Sequence, residues 1–200
     1  MIDSSRYTIQ RKKVKYARIT VHPDSQVKIT IPLTYTDSDL LLFLAEKANW
    51  INKHVSNFGQ DKEKYLAFGN NEVAFLGDAM NPGFDISKKT MLDHWYKVQA
   101  KVYLVNRLAE LASQFGYIYN KVSIRDAKTR WGSCSMKKNI SLNWRLIKAP
   151  PHIIDYVILH ELAHTVHFNH SKVFWSKLAQ TFPEYREAKD WLKRFGKFLH

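Results

Sequence analysis

The chain has 200 residues, of which 45% are hydrophobic and 14% aromatic, so it can bury a sizeable core and is globular, not disordered. A formal net charge of +13 favours anionic partners such as nucleic acid, nucleotides or acidic peptides. The single cysteine, Cys134, excludes an internal disulfide and a zinc site made of cysteines alone. Because the sequence has no signal-peptide pattern and no membrane-length apolar run, it predicts a cytoplasmic protein without a membrane partner.

The N-terminal part predicts strands followed by one helix. Residues 7–33 contain β-rich runs broken at residues 22–26 by Pro, Asp and Ser, which favours two or three antiparallel strands. Residues 36–59 combine N-capping residues, apolar side chains at helical spacing and a final glycine, and they predict a helix of about five turns. Residues 65–80 predict short strands around an Asn-Asn turn.

The sequence changes in character after Pro82 and Gly83, where the β-rich pattern gives way to long helical periodicity. We therefore predict a small β-rich N-terminal subdomain with one helix over residues 1–85, and a second domain over residues 86–200. The expected fold class is α+β.

The second domain predicts a long helix, two strands and then three helices. The predicted long helix covers residues 88–116, the strands cover 121–128 and 139–147, and the helices cover 152–168, 171–182 and 184–199. The two strands are joined by the segment TRWGSCSMKK, and a Pro-Pro pair precedes the first of the three helices.

Four of the nine histidines lie within residues 160–170, and two of them have the spacing of metal ligands. His160 and His164 are four residues apart, so in a helix of about 3.6 residues per turn both imidazoles lie on one face and can bind one ion. Glu161 lies about 100° around the helix from His160, where it can accept a proton from a metal-bound water. This HExxH pattern predicts a metal-dependent hydrolase.

A catalytic zinc site needs a third protein ligand, and the sequence offers two nearby histidines. His167 would continue the helical stripe about 10 Å beyond His160 and would extend the line of ligands instead of closing a tetrahedron. His170 lies between Asn169, which tolerates the left-handed conformation that ends a helix, and Ser171, which can cap the next helix. The chain can therefore turn here and direct His170 back toward the metal. We predict His170 as the third ligand, with Glu184 or Glu187 as the alternative.

The segments RWGSC, SLNWRLI, HELAH and NHSKVFW together resemble the YgjP-like zinc metallopeptidases, which are relatives of the SprT-like metallopeptidases. The resemblance implies a zincin-like catalytic domain over residues 86–200. It also implies zinc bound by His160, His164 and His170, with Glu161 as the general base. A peptide or protein would then be the substrate. The N-terminal part is similar to the β-rich front domain of that family.

Several residues beside the predicted site have open roles. Gly132 would permit close backbone approach of an extended substrate along an edge strand, or it would belong to a purely structural hairpin with Cys134 buried as a small hydrophobic residue. Three arginines are candidates for oxyanion stabilisation or phosphate binding, and two tyrosines are candidates for oxyanion stabilisation. These residues are Arg125, Arg130, Arg145, Tyr156 and Tyr185.

Two other functions fit the same metal site. A zinc-dependent nucleoside triphosphate pyrophosphatase or phosphohydrolase would benefit from the basic surface, although the sequence has no Gly-rich phosphate loop. A nucleic-acid-associated protease, as among the SprT-like relatives, would show salt-dependent DNA binding. Because the lysines and arginines are dispersed, we expect only weak, non-specific binding of nucleic acid or nucleotides. The sequence does not specify an oligomeric state.

Overall fold

The computed structural model describes residues 7–21, 26–66 and 71–200. The chain divides into two compact units, Met1–Ala67 and Phe68–His200. Strands form small sheets in both units and helices account for most of the remaining regular structure, which confirms the predicted α+β class and the β-rich N-terminal part. Within the described ranges, no helix is long and apolar enough to cross a bilayer.

The first unit contains a three-stranded sheet and one long helix. Its elements are β1 (Tyr7–Lys12), β2 (Arg18–Val21), β3 (Val27–Pro32) and α1 (Asp37–Leu66). Strand β3 lies in the centre, parallel to β1 and antiparallel to β2, so the prediction of antiparallel strands is wrong for β1. Val27, Ile29 and Ile31 are fully buried, so the most apolar strand is central, and β1 and β2 both pair with it instead of forming a hairpin with each other. The predicted turn at residues 22–25 lies outside the described residues.

Helix α1 begins with a reciprocal cap. The Thr36 hydroxyl accepts a hydrogen bond from the Asp39 backbone N–H at 3.1 Å, and the Asp39 carboxylate accepts one from the Thr36 backbone N–H at 2.8 Å. The helix continues past the predicted end at Gly59 to Leu66. A glycine inside a helix costs only about 1 kcal/mol, and the residues after Gly59 are mostly good helix formers.

In the second unit, five strands and one helix precede the histidine segment, and three further helices carry or follow it. They are β4 (Val73–Phe75), β5 (Asp78–Met80), α2 (Lys89–Phe115), β6 (Lys121–Arg125), β7 (Gly132–Cys134), β8 (Asn139–Asn143), α3 (Pro151–Ala163), α4 (Lys172–Thr181) and α5 (Tyr185–Phe195). Strands β4 and β5 form a hairpin with its turn at Leu76 and Gly77, which have φ of 53° and 89°. The sequence placed the turn of this hairpin earlier, at Asn70 and Asn71. Of these two residues, Asn70 lies outside the described residues. The proposed domain boundary after residue 85 stays a prediction.

Strands β6, β8 and β7 form the sheet that lies beside the histidine helix. Strand β8 is central, parallel to β6 and antiparallel to β7. The sequence predicted β6 and β8 but treated the three residues of β7 as a connection, because Gly, Ser and Cys carry little β-strand signal. The buried side chains of Ile140 and Leu142 give β8 an apolar face that packs in the core. Strand β7 therefore forms one edge of this sheet, and it packs against α3.

Helix α3 is almost entirely buried. Its fully buried side chains include Ile153, Ile154, Ile158 and Leu162, each of which stabilises the fold by roughly 1.5–3 kcal/mol through burial. Asp155 receives two hydrogen bonds of 2.7 Å from the Arg107 guanidinium of α2, so a bidentate ion pair fixes one helix against the other. A helix held in this way provides a rigid base for side chains at its C-terminal end.

Candidate metal centre

Helix α3 ends at Ala163, earlier than the predicted end at residue 168. The hydroxyl of Thr165 donates to the Leu162 carbonyl at 2.7 Å, and the Thr165 backbone N–H donates to the same carbonyl at 2.9 Å. These bonds tighten the last turn and replace the regular helical pattern. The turn continues to His167, whose backbone N–H donates to the Ala163 carbonyl at 3.0 Å, and the chain then leaves the helix axis, which allows the next segment to fold back.

The ring nitrogens of His160, His164 and His170 converge on one point. Nε2 of His170 lies 3.0 Å from Nε2 of His160 and 3.2 Å from Nε2 of His164. One ligand atom from each residue lies within 4.8 Å of the others. A tetrahedral zinc ion, with Zn–N distances of about 2.0–2.1 Å, places its ligand nitrogens roughly 3.4 Å apart. The histidine cluster, defined as these three residues, therefore fits a metal ion of this size.

The protonation states of the cluster also suit a metal. Nδ1 of His164 lies 2.9 Å from the His167 carbonyl oxygen and must donate to it, which leaves the lone pair of Nε2 directed into the cluster. Burial, and then the neighbouring His164 and His170, lower the pKa of His160 to about 3, so that its imidazole is neutral. Nδ1 of His160 is buried without a hydrogen-bond partner among the described residues. Packing therefore holds this ring.

Two aromatic residues of α4 supply that packing. The ring centre of the fully buried Phe174 lies 5.0 Å from that of His160, 4.5 Å from that of His164 and 4.8 Å from that of His170. Trp175 stacks on His170, with 5.5 Å between ring centres and 26° between planes. Its ring also stacks on Tyr185 at 5.4 Å and 22°. His170 is exposed, so the stack with Trp175 restricts a side chain that solvent would otherwise leave free.

Replacement of Trp175 by Ala is expected to weaken metal binding about 10- to 100-fold, the range found when groups that orient metal ligands are removed. The physical reason is that His170 loses the surface that holds its ring in the direction of the cluster. Chelator competition with zinc measures the effect, and Trp175→Phe is the matched control, because a smaller aromatic ring should retain most of the affinity. Equal zinc affinity in wild type and Trp175→Ala would contradict this role.

Glu161 is buried, with 6% of its surface exposed, and its side chain packs against the backbone of Gly132 in β7. A methyl group at residue 132 would lie 2.6 Å from both Cγ and Oε1 of Glu161. The side chain that lies where a Cβ of residue 132 would be is Glu161, and the two roles considered for Gly132, substrate approach and a structural hairpin, stay predictions. Burial raises the pKa of Glu161 to about 8, against a smaller lowering by the Arg130 guanidinium.

The other candidate residues lie outside the histidine cluster, which among the described residues contains neither His167 nor a carboxylate. His167 contributes its backbone carbonyl, and its side chain lines a groove beside α4. Glu184 and Glu187 line a different groove with Trp191. Tyr156 packs edge-on against His160 at 5.9 Å between ring centres.

Arginine and tyrosine candidates differ in their surroundings. Arg145 forms an ion pair with Asp126 and lies over the Trp144 ring, with 4.3 Å between Cζ and the ring centre. Tyr185 stacks on Trp175, which in turn stacks on His170. Arg125 and Arg130 line a pocket at the edge of the sheet that contains β7.

Sequence reasoning missed three residues that shape the site. Phe174 and Trp175 follow His170 by four and five positions, and an aromatic pair at helical distance from a predicted ligand was the available signal. The third is Asn143, which is buried and donates hydrogen bonds to the carbonyls of Ala127 at 2.8 Å and Arg130 at 3.2 Å. These bonds fix the loop that leads into β7, and nothing in the local sequence pattern indicated them.

A buried helix that brings two histidines to a third, with a buried glutamate packed against the edge strand of a sheet, is the arrangement of a metal-dependent hydrolase. The YgjP-like family, described as a metallopeptidase domain, matches residues 15–82 and 83–195. The chain therefore belongs to the YgjP-like metallopeptidases, which confirms the resemblance found in its sequence motifs. It is a metal-dependent peptidase whose substrates are peptides or proteins.

Two solved structures are similar to parts of the chain. The metallopeptidase zymogen abylysin of Pyrococcus abyssi is 28% identical, with 44% of this chain and 89% of that chain covered and a TM-score of 0.40. The metallopeptidase zymogen jannalysin of Methanocaldococcus jannaschii is 25% identical, with 48% of this chain and 96% of that chain covered and a TM-score of 0.41. A comparison with curated proteins finds no match.

Proposed function

We propose that the protein is a zinc-dependent peptidase in which His160, His164 and His170 bind the metal and Glu161 is the general base. The convergence of the three Nε2 atoms, at 3.0 and 3.2 Å from the central His170, is the observation that carries the proposal. Three neutral imidazoles with one further position for water are typical of catalytic zinc sites. The division into a β-rich subdomain, residues 1–85, and a catalytic domain, residues 86–200, is part of the same proposal.

Glu161 moves the protons of the reaction. Zinc, when bound, supplies a Lewis acid that lowers the pKa of its water to about 7 and polarises the substrate carbonyl. The Glu161 carboxylate accepts a proton from the attacking water and delivers it to the amide nitrogen as the C–N bond breaks. Burial against Gly132 favours this role, because it makes the carboxylate a stronger base than an exposed glutamate. With a cation bound by the three histidines, the pKa of the Glu161 carboxyl group would be lower, and the carboxylate would be ionised at neutral pH.

A hydrolysis screen of the zinc-loaded protein tests the proposed function. Casein, denatured proteins and nucleoside triphosphates are the substrates, and Glu161→Gln is the control variant. We expect hydrolysis of the protein substrates, with loss in the control. Hydrolysis of triphosphates alone, lost in the same control, would replace the peptidase proposal with that of a pyrophosphatase or phosphohydrolase.

The choice of third ligand gives a prediction about two neighbouring histidines. His170→Ala is expected to lose most of the bound zinc, because it removes one of three nitrogen ligands. His167→Ala should keep it, because the contact of His167 with the site is made by its backbone carbonyl. Metal analysis of the purified variants measures both. Full zinc occupancy in His170→Ala, together with loss in His167→Ala, would show that the assignment is reversed.

For the basic surface, we expect weak, sequence-independent nucleic-acid binding that decreases as salt rises, because dispersed lysines and arginines act through counterion release. Gel-shift titrations at two salt concentrations measure it. Tight binding that discriminates among sequences would contradict this expectation and favour a nucleic-acid-associated protease.

We also place the enzyme in the cytoplasm, because a chain with one cysteine suits a reducing compartment.

A further inference from the structure

A polar pocket lies at the edge of the sheet formed by β6, β8 and β7, and the proposed chemistry does not use it. Two arginines, two serines and the backbone of the edge strand are among its lining residues. The lining residues are Arg125, Ala127, Arg130, Trp131, Gly132, Ser133, Ser141, Leu142 and Asn143. None of them is acidic, so the pocket has an excess of positive charge.

The register of the sheet places this pocket on the face opposite Glu161. Ser133 pairs with Ser141, which pairs with Ser123, and the hydroxyls of Ser123 and Ser141 lie 3.0 Å apart, so these side chains share one face. Gly132 is the neighbour of Ser133, and a side chain at Gly132 would point toward Glu161. Successive residues of a strand point to opposite faces. Strand β7 therefore separates the catalytic carboxylate from the arginine pocket by the thickness of one strand.

The two arginines of the pocket are available to a ligand. Among the described residues, no carboxylate forms an ion pair with Arg125 or Arg130, and the adjacent Asp126 is engaged by Arg145 and by Lys97 at 3.9 Å. Gly132 lines the pocket, and the Glu161 side chain lies directly beside this glycine, so the pocket borders the catalytic site. Unpaired guanidinium groups beside a serine hydroxyl are suited to a carboxylate or a phosphate.

The free edge of β7 connects the pocket to the peptide substrate. Within the described part of the sheet, β7 pairs only with β8, so its other edge has unpaired backbone groups. An extended peptide that pairs with this edge points its side chains alternately toward the Glu161 face and toward the pocket face. The strand order is then peptide, β7, β8 and β6, so a long acidic side chain on the pocket face would extend across β7 toward the pocket, which Arg125 lines from the far side of β8.

We infer that this pocket is a specificity subsite that binds the carboxylate of an aspartate or glutamate within two residues of the scissile peptide bond. The inference rests on the proposed peptidase function and adds a substrate class to it: peptides with an acidic residue at a fixed distance from the cleaved bond. Arg125 and Arg130 bind the carboxylate, and the edge strand sets the distance. Neutral peptides are still cleaved, because the metal site and Glu161 lie on the other face.

Matched peptide pairs test the subsite in the full-length, zinc-loaded protein. Each pair has Glu or Gln at one of the four positions within two residues of the scissile bond, and kcat/KM is measured for wild type, Arg125→Gln and Lys121→Gln. We expect wild type to prefer the Glu peptide at one position by about tenfold, a modest effect for a charge-assisted hydrogen bond because the pocket is open to solvent. Arg125→Gln should abolish the preference, so that the ratio of kcat/KM between the Glu and the Gln peptide falls to about one, while the zinc content stays at the wild-type level.

Lys121→Gln is the control, because Lys121 is an exposed cation on the same strand that does not line the pocket, and the preference should persist in it. Equal rates on both peptides in wild type, or an undiminished preference in an Arg125→Gln, Arg130→Gln double variant, would overturn the inference. Pyrophosphate or a nucleoside triphosphate that competes more strongly than the Glu peptide, with the competition lost in Arg125→Gln, would overturn it in favour of a phosphate site.

Binding of the same peptides to zinc-loaded Glu161→Gln separates this inference from the proposed function. A preference for the Glu peptide in binding, lost in an Arg125→Gln, Glu161→Gln double variant, supports the subsite even if wild type cleaves no peptide. Cleavage by wild type without a charge preference in either binding or rate contradicts the subsite and leaves the peptidase function intact.

Discussion

Replacement of Glu161 by Gln is expected to reduce peptide hydrolysis by about 10²- to 10⁴-fold while the protein keeps its zinc. Glutamine preserves the size of the side chain and its packing against Gly132, but its amide has no basic oxygen that can take up a proton from water. The three nitrogen ligands are unchanged, so metal affinity should be unaffected. Steady-state kinetics and metal analysis on the same preparation measure the two quantities.

The histidine ligands provide the contrasting control. His160→Ala and His164→Ala should lose zinc and activity together, because each removes a ligand, whereas Glu161→Gln should separate the two properties. A Glu161→Gln protein that holds zinc and cleaves peptides at a near wild-type rate would rule out Glu161 as the general base. Another group would then have to accept the proton of the attacking water.

Gly132→Ala is expected to reduce peptide hydrolysis about 100-fold, although the substituted residue has no chemical function. The new methyl group would lie 2.6 Å from Cγ and Oε1 of Glu161, and the buried carboxylate would have to move. A displacement of about 1 Å in a catalytic group can cost this much in rate. The three atoms nearest to the new methyl group all belong to Glu161 and none to a metal ligand, so zinc content should remain at the wild-type level. The kinetic constants of the zinc-loaded variant measure the effect.

A second glycine separates displacement of Glu161 from a general loss of stability. Gly77→Ala would place a methyl group 2.9 Å from Pro150 at a φ of +89°, so it should also destabilise the fold. It does not contact Glu161, and the folded protein should keep its activity. Thermal unfolding of both variants measures the stability cost. Equal activity in Gly132→Ala and wild type would show that Glu161 tolerates the displacement.

The geometry of His160, Glu161 and His164 could be predicted because it is local. Three residues on one helix have relative directions that follow from 3.6 residues per turn, and no tertiary contact is needed to know them. The fold brings His170 to the other two histidines through a turn. The sequence indicated this turn through Asn169 and Ser171, which favour the end of one helix and the start of the next. The predicted continuation of the helix to residue 168 was wrong, because the Thr165 hydroxyl bonds to the Leu162 carbonyl and ends the helix at Ala163.

The contacts between distant segments could not be predicted. Gly132 and Glu161 are 29 residues apart in sequence, and only the pairing of β7 with β8 brings the glycine to the carboxylate. Strand β7 itself has a composition that favours turns, so tertiary pairing and not local propensity makes it a strand. The parallel pairing of β1 with β3 is similar, since its register depends on which strand buries most apolar surface.

The hydrogen bond from His164 to the His167 carbonyl has a consequence for the charge balance of the centre. A histidine ligand that donates to a carboxylate receives extra electron density and partly neutralises its metal, whereas a peptide carbonyl contributes no net charge. The histidine cluster contains no carboxylate or thiolate ligand, and Glu161 follows His160 directly on the same helix. A divalent cation held by these three residues would retain most of its +2 charge, and it would be a stronger electrophile than a cation whose ligands include an anion.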